Sequence, residues 1–167
     1  IVRGYREKAN PALWKHNLEY LLPNLGKKHR KTPHRSMPIE EIPTFIDLLD
    51  SIGGYTALAI KFMIYTASRS GSIRSAEWSE VDWGRKVWDV PADHMKEKEF
   101  HRVPLSSGAI ETLKQIPRQA GTNLIFPNSK GTPLSDNTLS ALMRRHEINS
   151  VPHGFRASFS TWCAMET

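Results

Sequence analysis

Between Tyr55 and Ala67 the chain carries Leu58, Ile60, Phe62, Met63 and Ile64, with no polar face at helical spacing. A helix that is apolar on every side is stable only when other elements enclose it. This stretch therefore requires a fold in which further helices wrap a buried central helix. The run falls short of the roughly 18 residues a bilayer span needs, and Lys61 interrupts it. With 167 residues, 39% hydrophobic and 24% charged, the chain is long enough to enclose such a helix within one domain, and its composition excludes the disordered, fibrous and membrane classes.

The elements around the central helix follow from local signals. Pro38 or Pro43 suits a first helical turn, and Ile39, Ile42, Phe45, Ile46, Leu48 and Leu49 recur at helical spacing up to Gly53-Gly54, which predicts a first core helix. Ser70-Gly71 is expected to break or bend the central one. After Trp78 the period changes to alternation through Val81, Trp83, Val87, Trp88 and Val90, with Gly84-Arg85-Lys86 as the turn of a hairpin. Residues 102–105 supply a third strand, and the charged stretch 93–101 is its exposed connection. Helices are expected over 107–116 and from an N-cap at Ser135 to Arg145, with a short strand over 124–126 between them and a last helix from about His153. The fold class is α+β, mainly helical, with a small antiparallel three-stranded sheet. The tryptophans and Phe155 are assigned to the core.

Charge is distributed unevenly. The formal net charge is +6, but residues 1–36 hold nine Lys/Arg against two acids, whereas residues 37–167 hold 14 against 15. The surplus concentrates at Lys27, Lys28, Arg30, Lys31 and Arg35, in a run without apolar periodicity. Such a run reads as a flexible basic linker and as a nonspecific DNA contact. Before it, residues 3–23 contain a short amphipathic piece (Leu13, Trp14, Leu18, Leu21, Leu22) that reads as a connector. The single cysteine, Cys163, permits neither an intrachain disulfide nor a Cys-based zinc site and fits a reducing, cytoplasmic compartment.

No carboxylate pair, metal-ligand spacing, phosphate-cradling Gly loop or Gly-x-Ser-x-Gly elbow is present. Three separated segments instead offer cationic or protonatable side chains: Thr66-Ala67-Ser68-Arg69-Ser70-Gly71, Met95-Lys96 and His153-Gly154-Phe155-Arg156. Singly, each has a plain structural explanation. Arg69 can cap the carbonyls of the helix it follows, Lys96 sits in a charged run typical of a solvated hairpin tip, and His153 or Arg156 can pair locally. Arg74 competes with Arg69 on composition, and His101 can face either core or DNA.

Jointly, and framed by Trp78-Ser79-Glu80-Val81-Asp82, His101-Arg102-Val103-Pro104-Leu105-Ser106 and Pro133-Leu134-Ser135, these segments resemble the catalytic domain of the tyrosine recombinases, and within them the prophage integrases. The resemblance implies that Arg69, Lys96, His153 and Arg156 surround a scissile DNA phosphate. Paired guanidinium forks suit the charge that builds on non-bridging oxygens, and a lysine on a hairpin tip can protonate the departing 5′ oxygen. The resemblance further implies a 3′-phosphotyrosyl intermediate that needs no cofactor, neither ATP nor metal. The implied partner is double-stranded DNA at attachment sites, bound by a tetramer of the full-length protein, with the isolated chain a monomer. Residues 1–36 then form the basic connector from an N-terminal DNA-binding domain, and residues 37–167 a catalytic domain truncated before the nucleophilic tyrosine.

Two departures from the family pattern bear on activity. Ala67 and Ser72 stand where the family's Thr-Gly-x-Arg-x-Gly-Glu motif has glycine and glutamate, which leaves the orientation of Arg69 without its usual acid. All four tyrosines (Tyr5, Tyr20, Tyr55, Tyr65) precede Arg69, so none matches the nucleophile's place; the chain as given is expected not to cut DNA by its own tyrosine, and the alternative reading is a catalytically inactive DNA-binding remnant of a prophage integrase.

Overall fold

The computed structural model describes residues 35–95 and 98–166, together with Leu18 and Tyr20. Contacts divide the chain into Ile1–Pro33 and His34–Thr167. The amphipathic connector and Lys27, Lys28, Arg30 and Lys31 therefore lie outside the described residues, Leu18 excepted.

Helix α1 (Ile42–Ile52) starts with Pro43 in its first turn and ends at Gly53, whose φ of 66° suits glycine. Helix α2 (Gly54–Thr66) is the enclosed element that its composition requires: Ala57 to Met63 are buried without interruption. Each of Ile60, Phe62 and Met63 contributes about 1.5–3 kcal/mol by leaving water. Lys61 is tolerated among them because its Nζ lies 2.5 Å from Asp50 Oδ1 on α1. The chain next forms a short helix α3 (Ser70–Ser75). The break falls at Ala67, earlier than expected, and Ser70-Gly71 opens a new helix.

Strands β1 (Val81–Asp82), β2 (Val87–Val90) and β3 (His101–Pro104) form one antiparallel sheet in that order, with Val81 opposite Trp88 and Trp88 opposite Val103. The Asp82 carboxylate accepts from the Arg85 backbone N–H (2.9 Å) and closes the first hairpin. Phe62 joins helix to sheet, its ring 5.3 Å from that of Trp88 and 5.7 Å from that of Phe126.

Helix α4 (Ser107–Gln115) is capped by Ser106, whose hydroxyl accepts from the Ala109 N–H (3.3 Å). Gly108 admits the Tyr65 ring, which lies 2.6 Å from where a Cβ would stand. Helix α5 (Thr138–Arg145) begins after Asn137; the Ser135 carbonyl instead accepts from the Thr138 N–H in the preceding turn. Residues 124–126 pair with the chain before β1 only through an isolated Glu77–Leu124 bridge, although Ile125 and Phe126 are fully buried. Helix α6 (Gly154–Glu166) ends the described chain. Helices α1, α3, α4, α5 and α6 all pack on α2.

The mainly helical α+β expectation holds. Trp78, Trp88 and Phe155 are buried, whereas Trp83 and Trp162 are exposed, so not every tryptophan belongs to the core. Trp83 stacks on Trp78 from outside, at 6.3 Å between ring centres. No described helix is long and apolar enough to cross a membrane.

Candidate functional site

The end of α2 places Arg69. Thr66 closes the helix by donating its hydroxyl to the Phe62 carbonyl (2.7 Å), and Ala67 then adopts the left-handed conformation, φ 46° and ψ 29°. That conformation costs an alanine about 1–2 kcal/mol, a penalty glycine escapes. It accounts for the glycine of the resembled motif at this position. Arg69 follows in extended geometry as the residue before α3.

Arg156 reaches the same turn from the first turn of α6. Its Nη1 donates to the Ala67 carbonyl, across 89 residues of sequence. The approach of α6 is possible because position 154 is glycine: a Cβ there would stand 2.1 Å from the Arg35 carbonyl oxygen. The strap of residues 35–37 crosses the helix start, held by Val151 N–H to Arg35 O (3.1 Å) and Ser158 Oγ to Met37 O (2.6 Å).

Two adjoining cavities meet around Arg69. One, of about 290 Å³, is lined by Ser68, Arg69, Ser72, Met95, Glu99, Phe100, His101 and Arg156. The other, of about 490 Å³, is lined by Arg69, Ser72, His94, Met95 and His153. The fold thus brings Arg69, His101 and Arg156 into one cavity, and Arg69 and His153 into its neighbour. Lys96 lies outside the described residues; Met95, just before it in sequence, lines both cavities. Arg35 lines neither. Its guanidinium donates to Asn149 Oδ1 (2.8 Å). Arg74 is occupied elsewhere, donating to the Leu134 carbonyl (2.9 Å) and pairing with Asp136.

Ser72 takes part in a way its small size conceals in the sequence. Its buried hydroxyl donates to the His94 carbonyl (2.9 Å), tying α3 to the connection between β2 and β3. The far end of that connection is held by Arg102, which forks onto both carboxylate oxygens of Asp89 (2.6 and 3.0 Å). The hydrogen bond from Arg102 holds the Asp89 carboxyl below the usual carboxylate range. Phe100, 58% exposed, lies under the same guanidinium at 5.5 Å. The sequence reading missed Ser72, His94 and Phe100 as walls of the cavities. The motif position of Ser72, three residues after Arg69, and the proximity of His94 to Met95-Lys96 were signals available for two of them.

Among the described residues no group of three or more His, Cys, Asp or Glu side chains converges as a metal site would. Two arginines and three histidines (His94, His101 and His153) line the cavities, with Glu99 and Asp93 also in the lining, and the guanidinium groups are donors suited to a phosphate diester.

Comparison with known proteins identifies the family. Residues 35–166 match the phage integrase family. The chain is 32% identical over 173 residues to the integrase of Shigella phage Sf6, covering 96% of this chain and 42% of that protein. It is 30% identical over 148 residues to the prophage integrase IntA of Escherichia coli (strain K12), covering 83% and 36%. It thus spans about two fifths of the length of these relatives. Among solved structures, the Tn1549 transposon integrase in complex with circular intermediate DNA has the same fold, with a TM-score of 0.66 at 14% identity over 91% of this chain and 58% of that one. With the family match running from the strap at Arg35 through the whole of α6, and the fold in agreement, the chain belongs to the phage integrase family of tyrosine recombinases.

Proposed function

We propose that this chain supplies the phosphate-holding part of a site-specific DNA recombinase that integrates prophage or other mobile DNA. The observation that carries this reading is the meeting of Arg69 and Arg156 at the Ala67 turn, beside His101 and His153, in a chain of the phage integrase family. In the proposed reaction the guanidinium groups of Arg69 and Arg156 bind the non-bridging oxygens of the scissile phosphate. They stabilise the charge that grows as the phosphorus becomes five-coordinate. His153 donates to the phosphate or assists proton transfer from the attacking hydroxyl, and Lys96 protonates the departing 5′ oxygen. A tyrosine supplied beyond these elements becomes linked to the 3′ phosphate, which keeps the bond energy for rejoining. Residues 1–36, with Lys27, Lys28, Arg30, Lys31 and Arg35, serve as the basic connector, and residues 37–167 as the catalytic domain. The isolated chain is a monomer; the full-length protein works as a tetramer on double-stranded DNA.

The rejoining half of this chemistry needs no tyrosine and can be tested on the chain itself. The substrate is a pool of nicked duplexes with randomised arms, each nick holding a 3′-p-nitrophenyl phosphate opposite a 5′-hydroxyl. Attack of the hydroxyl, its proton passing to the neutral Lys96 amine in the reverse of the cleavage step, forms the 5′ O–P bond, breaks the aryl O–P bond and releases nitrophenolate. Sealed strands are expected from the unaltered chain and not from Arg69→Ala or Arg156→Ala. Salt-sensitive DNA binding without sealing, or sealing untouched by Arg156→Ala, would overturn the catalytic reading in favour of a DNA-binding remnant.

A further inference from the structure

One carboxylate beside the cavities is used more heavily than its place in the hairpin requires. The Glu80 side chain, 8% exposed, accepts from the Trp88 indole N–H (2.8 Å) and from the Glu77 backbone N–H (3.2 Å) through Oε2. Those bonds already satisfy a buried carboxylate at the root of β1. Its other oxygen, Oε1, nevertheless lies 2.7 Å from His94 Nδ1. The carboxylate thus spans the root of β1 and the start of the connection between β2 and β3 in close polar contact with the imidazole.

His94 is anchored through its backbone as well as its ring. Its backbone is fixed twice, by its own N–H to the Pro91 carbonyl (3.0 Å) and by the Ser72 hydroxyl on its carbonyl. Its side chain is held by Glu80 and lines the cavity that contains Arg69 and His153. Lys96 follows two residues later in sequence. The other end of the connection is clamped by the Arg102–Asp89 fork. We propose that Glu80 and His94 are positioning residues that fix the near root of the β2–β3 connection and thereby set where Lys96 meets the 5′ oxygen. This rests on the reading of Lys96 given above and extends it to two residues that act through the connection. Proton transfer requires a donor held to about 0.5 Å, which a solvated hairpin tip cannot ensure unless its root is rigid.

The test uses the nick-sealing reaction with two acceptors. A 5′-hydroxyl must lose a proton as it attacks, whereas a 5′-thiol ionises at about pH 8.5 unaided and does not need the lysine. The variants are Lys96→Ala, His94→Ala and Glu80→Gln, the last retaining an oxygen for Trp88. Rates are measured on saturating DNA, below the urea concentration at which any variant unfolds. Loss of a positioning residue is expected to slow sealing to the hydroxyl roughly tenfold for His94→Ala and Glu80→Gln, and further for Lys96→Ala. All three are expected to match the unaltered chain with the thiol. A His94→Ala or Glu80→Gln defect that persists with the thiol would show that the pair merely supports the cavity and would overturn the proposal. So would full hydroxyl activity in both of those variants. If Lys96→Ala itself shows no thiol-rescued defect, the lysine reading fails, and the positioning role falls with it.

Discussion

Gly154→Ala tests whether the strap at Arg35 truly closes over the start of α6. The added Cβ would stand 2.1 Å from the Arg35 carbonyl oxygen and 2.9 Å from both Arg35 C and Ser36 Cα, all backbone atoms that no rotamer change can move. Ordinary contact begins at 3.4 Å, so strap and helix must part by about 1.3 Å. That displacement removes the Val151-to-Arg35 backbone bond and strains the buried Ser158-to-Met37 bond, at about 1 kcal/mol for the first and 1–3 kcal/mol for the second. Alanine's better helix propensity offsets less than about 1 kcal/mol at a helix start. The net expectation is a loss of about 2–3 kcal/mol, read in urea titration as a midpoint lowered by about 1–2 M at unchanged slope. Ser158→Ala provides the coupling measurement. If alanine at 154 already lifts the strap, the double variant loses clearly less than the two single losses added. An unchanged midpoint for Gly154→Ala, or strict additivity with Ser158→Ala, would refute the reasoning.

Ala67→Gly relieves the left-handed turn and is expected to stabilise the chain by about 0.5–1 kcal/mol, a rise of a few degrees in the thermal midpoint. Asp50→Ala leaves the Lys61 ammonium buried without its carboxylate and is expected to cost about 3 kcal/mol in urea titration; adding Lys61→Met recovers most of that loss. The Asp89 carboxyl is depressed in the folded chain by its bond from Arg102, so its contribution is present above the ordinary aspartate value and lost as the pH falls through the depressed one. Asp89→Asn is therefore expected to flatten the fall in stability below about pH 4, followed by thermal melts across pH, and to leave the curve near neutrality with the same slope.

Periodicity made α1, α2 and the hairpin legible, because their burial depends on residue spacing that any reader can count. The boundaries at Ala67 and Asn137 were less legible. Ala67 is an unusual carrier of positive φ, and Ser135 has the right side chain for an N-cap but uses its carbonyl to make a turn. Residues 124–126 looked like a strand because a run so apolar must be buried, yet burial under Phe62 satisfies that need without a ladder. At the site, Arg69, His153 and Arg156 were legible through motif order. The roles of Ser72, Glu80 and His94 were not. Their contacts run through a carbonyl and a shared carboxylate, relations that belong to three-dimensional neighbours and have no pattern along the chain.

The bond from Arg156 to the Ala67 carbonyl also sets a timetable. Everything that surrounds Arg69 up to β3 is complete in the first two thirds of the chain, but the wall formed by Arg156 and His153 arrives only with the last helix. Contacts of such long sequence separation form late, after the loop between them has been closed. During synthesis the chain therefore carries an open, half-walled cleft until α6 has been made and docks, bringing Arg156 and His153 to Arg69.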